Sequence, residues 1–461
     1  MPASDYYTER ATGACPVHVV DEQGLEGLLG GLADAHRSWV RSTGWRAEAG
    51  TVLALPGKEG TVAAVLAGAG GREPFWSLAA VPGQLPAGSY AFAESAGAEQ
   101  NRLRATAWGI GQYAFSRRSD AKPAAPRTLA WPEDTDCAAV LSTVDADALA
   151  RDLVNAPAGE MGPAELSAAA ARLAAAAGAE FREVVGDALL AEGFPAIHAV
   201  GRASDRPPRL LEISWGAPGH PRVTLVGKGV CFDSGGLNIK GPQGMRNMKK
   251  DMGGAAHVLG LGKMIMDAAL PVRLRILVPA VENSISGNAY RPGDVIPTRA
   301  GLTVEIGNTD AEGRVVLADA LALADEEAPE LLLDYATLTG AARVALGPDL
   351  PALFCTDPEL SDALRDAGPP QGDPLWPMPL WAPYAANLAG GIADLVNVTT
   401  DGFAGSIYGG LFLQRFVGNA RAWAHFDTFA WNPRTRPGRP EGGAGQGIRA
   451  AFSVLSARYP A

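Results

Sequence analysis

Short apolar runs alternate with helix-period segments through the middle of this chain, and no other feature constrains its fold more. Residues 210–215, 223–226, 274–281 and 331–335 read as buried strands, and 253–266 and 314–326 as helices between them. A run that stays apolar, rather than alternating with polar residues, belongs to a strand covered on both faces. Strands separated by helices are joined by crossovers, which makes neighbouring strands parallel. The expected fold class is α/β: a smaller N-terminal α/β domain, then a larger domain with a mainly parallel, doubly wound central sheet flanked by helices. In such sheets ligands sit beyond the carboxyl ends of the strands.

The rest of the chain sorts around that core. Residues 1–130 hold short apolar segments (51–55, 62–66) punctuated by Gly and Pro, and read as the N-terminal domain. Residues 118–136 are rich in Pro and charge and read as linker plus one short strand. A helical pattern over 138–155 stops at Asn155-Ala156-Pro157, so 131–160 is assigned as linker and connecting helix, and 161–461 as the larger domain. Residues 163–178 form a strong helix, with Pro163 in its first turn and Gly178 closing it.

Composition excludes several classes. The chain has 461 residues, 47% hydrophobic and 19% charged, enough for two or three domains and unlike a disordered protein. A net charge of −11 disfavours nucleic acid and anionic membrane as main partners. Cys15, Cys137, Cys231 and Cys355 are scattered with no CxxC pair, which predicts reduced thiols and a cytoplasmic location. The N-terminal residues lack a basic segment followed by an apolar one, so no signal peptide is expected, and no apolar run is long enough to span a bilayer.

Two clusters carry chemistry. Asn308-Thr309-Asp310-Ala311-Glu312-Gly313-Arg314 follows the alternating Leu302, Val304, Ile306. If the extended backbone persists, Asp310, Glu312 and Arg314 point the same way. Two carboxylates so close repel unless a cation sits between them. The plainer alternative is a solvated acidic turn with Asp310 as a helix cap. The second cluster, 223–254, runs from a strand into Lys228 between two glycines, then Asp233-Ser234-Gly235-Gly236, Lys240 and Asp251. Alone, Lys228 reads as a lysine snorkelling at a strand end.

Together the clusters resemble the leucyl aminopeptidase (cytosol aminopeptidase) family of two-metal exopeptidases. The matching motifs are VGKGVCFDSGG (226–236), the Lys240 segment, MKKDMGGAA (248–256), NTDAEGRVVLADAL (308–321) and DYATLTGA (334–341), with RDLVNAPAGEMGP (151–163) and WAHFDTFAW (423–431) in support. The resemblance runs from about residue 150 to the C-terminus and is weak over the first 130 or so residues.

It implies a metal-dependent aminopeptidase that releases N-terminal amino acids from peptides, with metal-bound hydroxide as nucleophile. One divalent ion is implied at Lys228, Asp233, Asp251 and Glu312, the other at Asp233, Asp310 and Glu312. Lys228 must then be neutral, and the two ions balance four carboxylates. Oxygen ligands with one nitrogen suit Zn²⁺, Mn²⁺ or Co²⁺ without choosing among them. Lys240 is implied to stabilise the developing oxyanion and Arg314 to hold bicarbonate as proton carrier. Leu338 offers a backbone N–H, and Asp251 receives the substrate's α-amine. By register Met248, Thr337, Gly340 and Ala341 are candidates for the P1 pocket. Leu237-Asn238-Ile239, Gly241, His257 and the glycine-rich 442–447 depart from the commoner family pattern and leave substrate preference open. The family also implies a homohexamer.

The six histidines stand outside the matched ligand positions, and His257 reads as packed or surface. Gly443-Ala444-Gly445-Gln446-Gly447 imitates a nucleotide fingerprint but follows a loop rather than a strand. Two rivals remain: a binding or architectural protein, since some family members bind DNA, and another two-metal hydrolase such as a phosphoesterase.

Overall fold

The computed structural model describes residues 1–9, 12–116 and 125–460, so part of the expected linker, 117–124, lies outside the described residues. The chain divides into two compact units. One comprises Met1–Ala148 with Pro369–Gly372 and Pro433–Glu441; the other comprises Leu149–Gly368, Asp373–Asn432 and the residues from Gly442 onward.

The first unit is built on a six-stranded sheet ordered Tyr7–Thr8, Arg127–Ala130, Gly88–Phe92, Cys15–Val20, Val62–Gly68, Val52–Pro56. Every pairing is parallel except the last. Along Val62–Gly68, Val65 and Ala67 join one apolar cluster and Ala64 and Leu66 another. Successive side chains point to opposite faces, so this strand is buried on both sides, as its continuous apolar sequence requires.

The second unit repeats the logic on a larger scale. Its central strands are β1 (Arg209–Trp215), β2 (Arg222–Gly227), β3 (Gly229–Asp233), β4 (Arg273–Asn283), β5 (Leu331–Ala336) and β6 (Trp423–Asp427). The order β6-β5-β2-β4 is parallel throughout, with β3 pairing alongside the far end of β4. Antiparallel neighbours flank it: β1 beside β4, and Ala352–Cys355 beside β6. Leu331, Leu333 and Tyr335 of β5 enter one core and Leu332 and Ala336 the other. Helix α1 (Gly253–Asp267) covers the first face and α2 (Glu312–Asp325) the second. The doubly wound α/β expectation is met, including the antiparallel edges common in large sheets of this class.

Helix α2 begins two residues earlier than its apolar pattern indicates, at Glu312 rather than 314.

Candidate functional site

Charged side chains gather in one cleft at the carboxyl ends of the parallel strands. Lys228 follows β2, Asp233 ends β3, Thr337 and Leu338 follow β5, and Asp427 ends β6. The cleft has a volume of about 680 Å³.

Backbone bonds fix Lys228: its N–H donates to Tyr335 O at 2.9 Å and its carbonyl accepts from Ala255 N–H at 2.9 Å. Its side chain runs against Gly313, where a Cβ would stand 2.6 Å from Lys228 Cε. The ammonium therefore reaches Asp251 Oδ2 at 2.7 Å and Glu312 Oε1 at 2.8 Å. Lys240 bridges the other pair, 2.8 Å from Asp233 Oδ2 and 2.5 Å from Asp310 Oδ1. Ligand atoms of Asp233, Asp310 and Glu312 lie within 4.8 Å of one another. Glu312 thus belongs both to the Lys228–Asp251 group and to the Asp233–Asp310 group.

The loop carrying Asp233 needs special backbone. Gly235 and Gly236 adopt φ of +89° and +63°, and a Cβ on Gly236 would crowd Asn283 Oδ1 at 2.9 Å. Asn283 donates to Asp233 Oδ1 at 2.8 Å and to Thr309 O at 2.9 Å, tying the two acidic loops together. Nothing in the sequence patterns singled out Asn283; its only signal is a polar residue ending a long apolar strand.

Asp310 and Glu312 converge, but not through extended backbone. Residues 309 and 310 form a turn and Glu312 is the first residue of α2. Arg314, two residues further along a helix of 3.6 residues per turn, points about 200° away from Glu312. Lys228, Asp233, Lys240, Met248, Asp251, Asp310, Glu312, Thr337, Leu338 and Gly340 line the cleft, whereas Ala341, the remaining P1 candidate, is exposed and is not among the lining residues. Arg314 is buried and is not among the lining residues; it donates to Asn397 O at 2.6 Å, and its Nε–H is unpartnered. The Leu338 N–H is also committed, to Asp427 Oδ1 at 3.0 Å. Asp427 further accepts from Thr339 N–H at 3.1 Å and Thr339 Oγ1 at 2.6 Å, so it organises the loop after β5.

His257 is packed: its Nδ1 meets Gly253 O and its Nε2 accepts the Gln446 N–H at 2.8 Å. The glycine-rich stretch ends in a helix, Ile448–Arg458, whose first N–H groups are taken by a protein carboxylate. Asp373 accepts from Gly447 at 2.6 Å and Arg449 at 2.9 Å, which satisfies the anion preference of that helix end.

The electrostatics ask for more positive charge. Asp233, Asp251, Asp310 and Glu312 face the ammoniums of Lys228 and Lys240. Burial, then the Asp233 charge, pushes the Glu312 carboxyl up to about 8. The same two causes raise Asp310. Burial alone would lower Lys228, but Asp251, Glu312 and Asp233 outweigh it and hold the amine above its ordinary value. Burial pushes Asp251 up, yet Lys228 and Lys250 prevail and hold it below the usual carboxylate range. Burial lowers Arg314 to about 10. Glu312 Oε2 is buried with no hydrogen-bond partner. An orphaned carboxylate oxygen amid crowded, partly unneutralised acids is the donor set of a hard divalent cation.

Comparison with known proteins follows the same lines. Residues 148–452 match the family described as "Cytosol aminopeptidase family, catalytic domain", and 15–131 the "M17 aminopeptidase, N-terminal domain". The chain belongs to the cytosol aminopeptidase family. A probable cytosol aminopeptidase of Geobacter sp. (strain M21) is 44% identical over 313 residues, covering 67% of this chain and 63% of that protein. This chain therefore spans somewhat under two thirds of that relative's length. Among solved structures, the cytosol aminopeptidase from Coxiella burnetii superposes with a TM-score of 0.92 at 45% identity, covering 99% of this chain and 100% of that one. The bottromycin maturation enzyme BotP, in complex with Mn, gives 0.87 at 34% identity, covering 96% and 99%. The match over 15–131 corrects the expectation that the resemblance is weak over the first 130 or so residues.

Proposed function

We propose that this chain is a metal-dependent aminopeptidase that removes the first residue from peptides. The observation that carries the reading is the cleft itself, with four carboxylates and two lysines at the strand ends. Lys228, Asp233, Asp251, Asp310 and Glu312 would hold two divalent ions, Zn²⁺ or Mn²⁺. Such ions, when bound, polarise the scissile carbonyl and activate a water. The chain's own residues do the rest. Asp251, oriented by the Thr337 hydroxyl at 2.7 Å, faces the cleft and receives the substrate's α-amine. That recognition confines cleavage to the first peptide bond. Lys240, partly exposed at the cleft wall, supplies positive charge to the carbonyl oxygen as it becomes anionic.

The reading is tested on an aminoacyl-anilide and its N-acetylated counterpart, with and without chelator. Hydrolysis should vanish with chelator, return with Mn²⁺ or Zn²⁺, and be absent for the blocked substrate. Metal-independent turnover, or cleavage of the blocked substrate, would refute it.

Arg314 takes a separate part. Its buried, unpartnered Nε–H would be the donor for a small anion, bicarbonate, that carries the proton. Arg314→Ala should lower kcat by about 10- to 10²-fold, the low end for positioned acid–base help. Added bicarbonate should recover part of the loss. A variant with wild-type turnover, or one blind to bicarbonate, contradicts the assignment.

The chain also assembles, on this reading, as a homohexamer, closed symmetry being the usual outcome for homo-oligomers. Light scattering should give about six times 47.7 kDa. A cytoplasmic location accords with free thiols at Cys15, Cys137, Cys231 and Cys355. No helix among the described residues is long and apolar enough to cross a membrane.

A further inference from the structure

Two cations in the cleft have no part in the chemistry above, and both face one aromatic ring. Lys250 Nζ stands 5.5 Å from the Phe429 ring centroid, and the Arg343 guanidinium carbon 4.8 Å from the same point. All three residues line the cleft, as do Met248, Gly340 and Ala342. The Arg343 guanidinium curls back over Gly340, its Nη2 4.0 Å from where a Cβ there would stand.

Neither cation is well neutralised. Lys250 is only 6% exposed, and a lysine so buried ordinarily has a close carboxylate. Its one acidic neighbour is Asp251 Oδ1 at 3.4 Å, an oxygen that already accepts the Thr337 hydroxyl at 2.7 Å. Asp251 is also engaged more closely by Lys228, at 2.7 Å. The Arg343 guanidinium makes no ion pair or hydrogen bond among the described residues. A pocket meant for an aliphatic side chain gains nothing from two such charges and bears their desolvation.

The ring between them is held deliberately. Gln446 Oε1 accepts the N–H groups of Phe429 at 3.1 Å and Ala430 at 2.8 Å, and the Gln446 N–H is anchored on His257 Nε2 at 2.8 Å. His257 and the 442–447 stretch, two places where the sequence leaves the commoner family pattern, thus position Phe429.

We propose that Lys250 and Arg343 form the charged end of the P1 pocket, and that this chain prefers peptides beginning with Glu or Asp over those beginning with Leu. The proposal rests on the aminopeptidase reading. Asp251 takes the α-amine while the side-chain carboxylate meets the two cations over Phe429, a partner that Arg343 lacks and that Lys250 has only at 3.4 Å in a shared Asp251.

The test compares kcat/KM of the Mn²⁺-loaded full chain on Glu-, Gln-, Leu- and Lys-p-nitroanilide. Glu and Gln are nearly isosteric, so their ratio isolates charge. Glu should be favoured over Gln by about tenfold or more, the scale of a charge-assisted hydrogen bond. Arg343→Met and Lys250→Met should each cut that ratio about tenfold, chiefly through KM for the Glu substrate. Arg343→Glu should turn the preference toward Lys. Added salt should erode the contribution of Arg343 more than that of Lys250, because Arg343 is exposed and Lys250 buried. Arg343, at the surface, keeps the test open if the Lys250 variant misfolds. A Glu/Gln ratio at or below one, or a ratio unmoved by Arg343→Met and Arg343→Glu while Gln and Leu substrates turn over, overturns the proposal. Failure to hydrolyse any of the four substrates sinks the aminopeptidase reading itself, and this proposal with it.

Discussion

Glu312→Ala should strip both metal ions from the protein and abolish turnover in the same step. Glu312 is a carboxylate that the structure places in both halves of the cluster. One oxygen meets Lys228 beside Asp251, and its ligand atoms fall within 4.8 Å of those of Asp233 and Asp310. Its second oxygen is buried and unpartnered. Removing the side chain therefore takes negative charge from each proposed ion position at once. The expected loss of metal affinity exceeds the roughly 10–100-fold typical of residues that only support a ligand. Turnover should fall by more than the ~10²–10³ that follows loss of a single oxyanion donor. Glu312→Gln keeps the shape without the charge and should behave nearly as badly, which separates electrostatics from packing. Elemental analysis after gel filtration, run beside kcat on an aminoacyl-anilide, checks both effects. Two ions retained with near-wild-type turnover would mean that Glu312 bridges nothing.

The architecture was legible because parallel strands buried on both faces have to be apolar throughout. Strand 223–226 is such a run, and the structure extends it only to Arg222–Gly227. The acidic cluster was legible for a different reason: motif spacing survives even when the imagined geometry does not. Asp310 and Glu312 meet through a turn followed by the first residue of a helix, not along extended chain. The same helix start keeps Arg314 from lining up with Asp310 and Glu312 as extended chain would have it. Other features depend on contacts that no local pattern encodes. Whether the Leu338 N–H is free depends on Asp427, which arrives from a distant strand. Nothing local in the sequence marks Lys250, which the fold buries with its ammonium 5.5 Å from the Phe429 ring centroid. Asn283 looks like an ordinary strand end until both acidic loops close on its amide.

Lys240→Ala should leave the metals in place and lower kcat by roughly 10²–10³, the size of losing one preorganised oxyanion donor. The sign of the metal effect follows from charge. Lys240 is an ammonium 2.8 Å from Asp233 and 2.5 Å from Asp310, so it competes with any other cation for those carboxylates. Burial opposes its charge, but Asp233 and Asp310 more than compensate and hold the amine above its ordinary value. Its charge is thus suited to stabilise a developing negative charge; Lys228 is held up in the same way in the metal-free cluster and would have to give up its proton to join a ligand set. Deleting Lys240 leaves the acidic cluster more negative, and metal affinity should hold or rise. Lys228 behaves in the opposite way: packed at 2% exposure between Asp251 and Glu312, it is the lysine proposed to join the ligand set, and its removal should cost metal. The paired variants thus separate two lysines that look alike in sequence. Lys240→Arg keeps the charge in a larger head and should recover part of the loss, whereas Lys240→Met should not. Parallel kcat and metal measurements on Lys240→Ala and Lys228→Ala decide the matter. If Lys240→Ala loses metal while Lys228→Ala keeps it, the roles argued for the two lysines are exchanged.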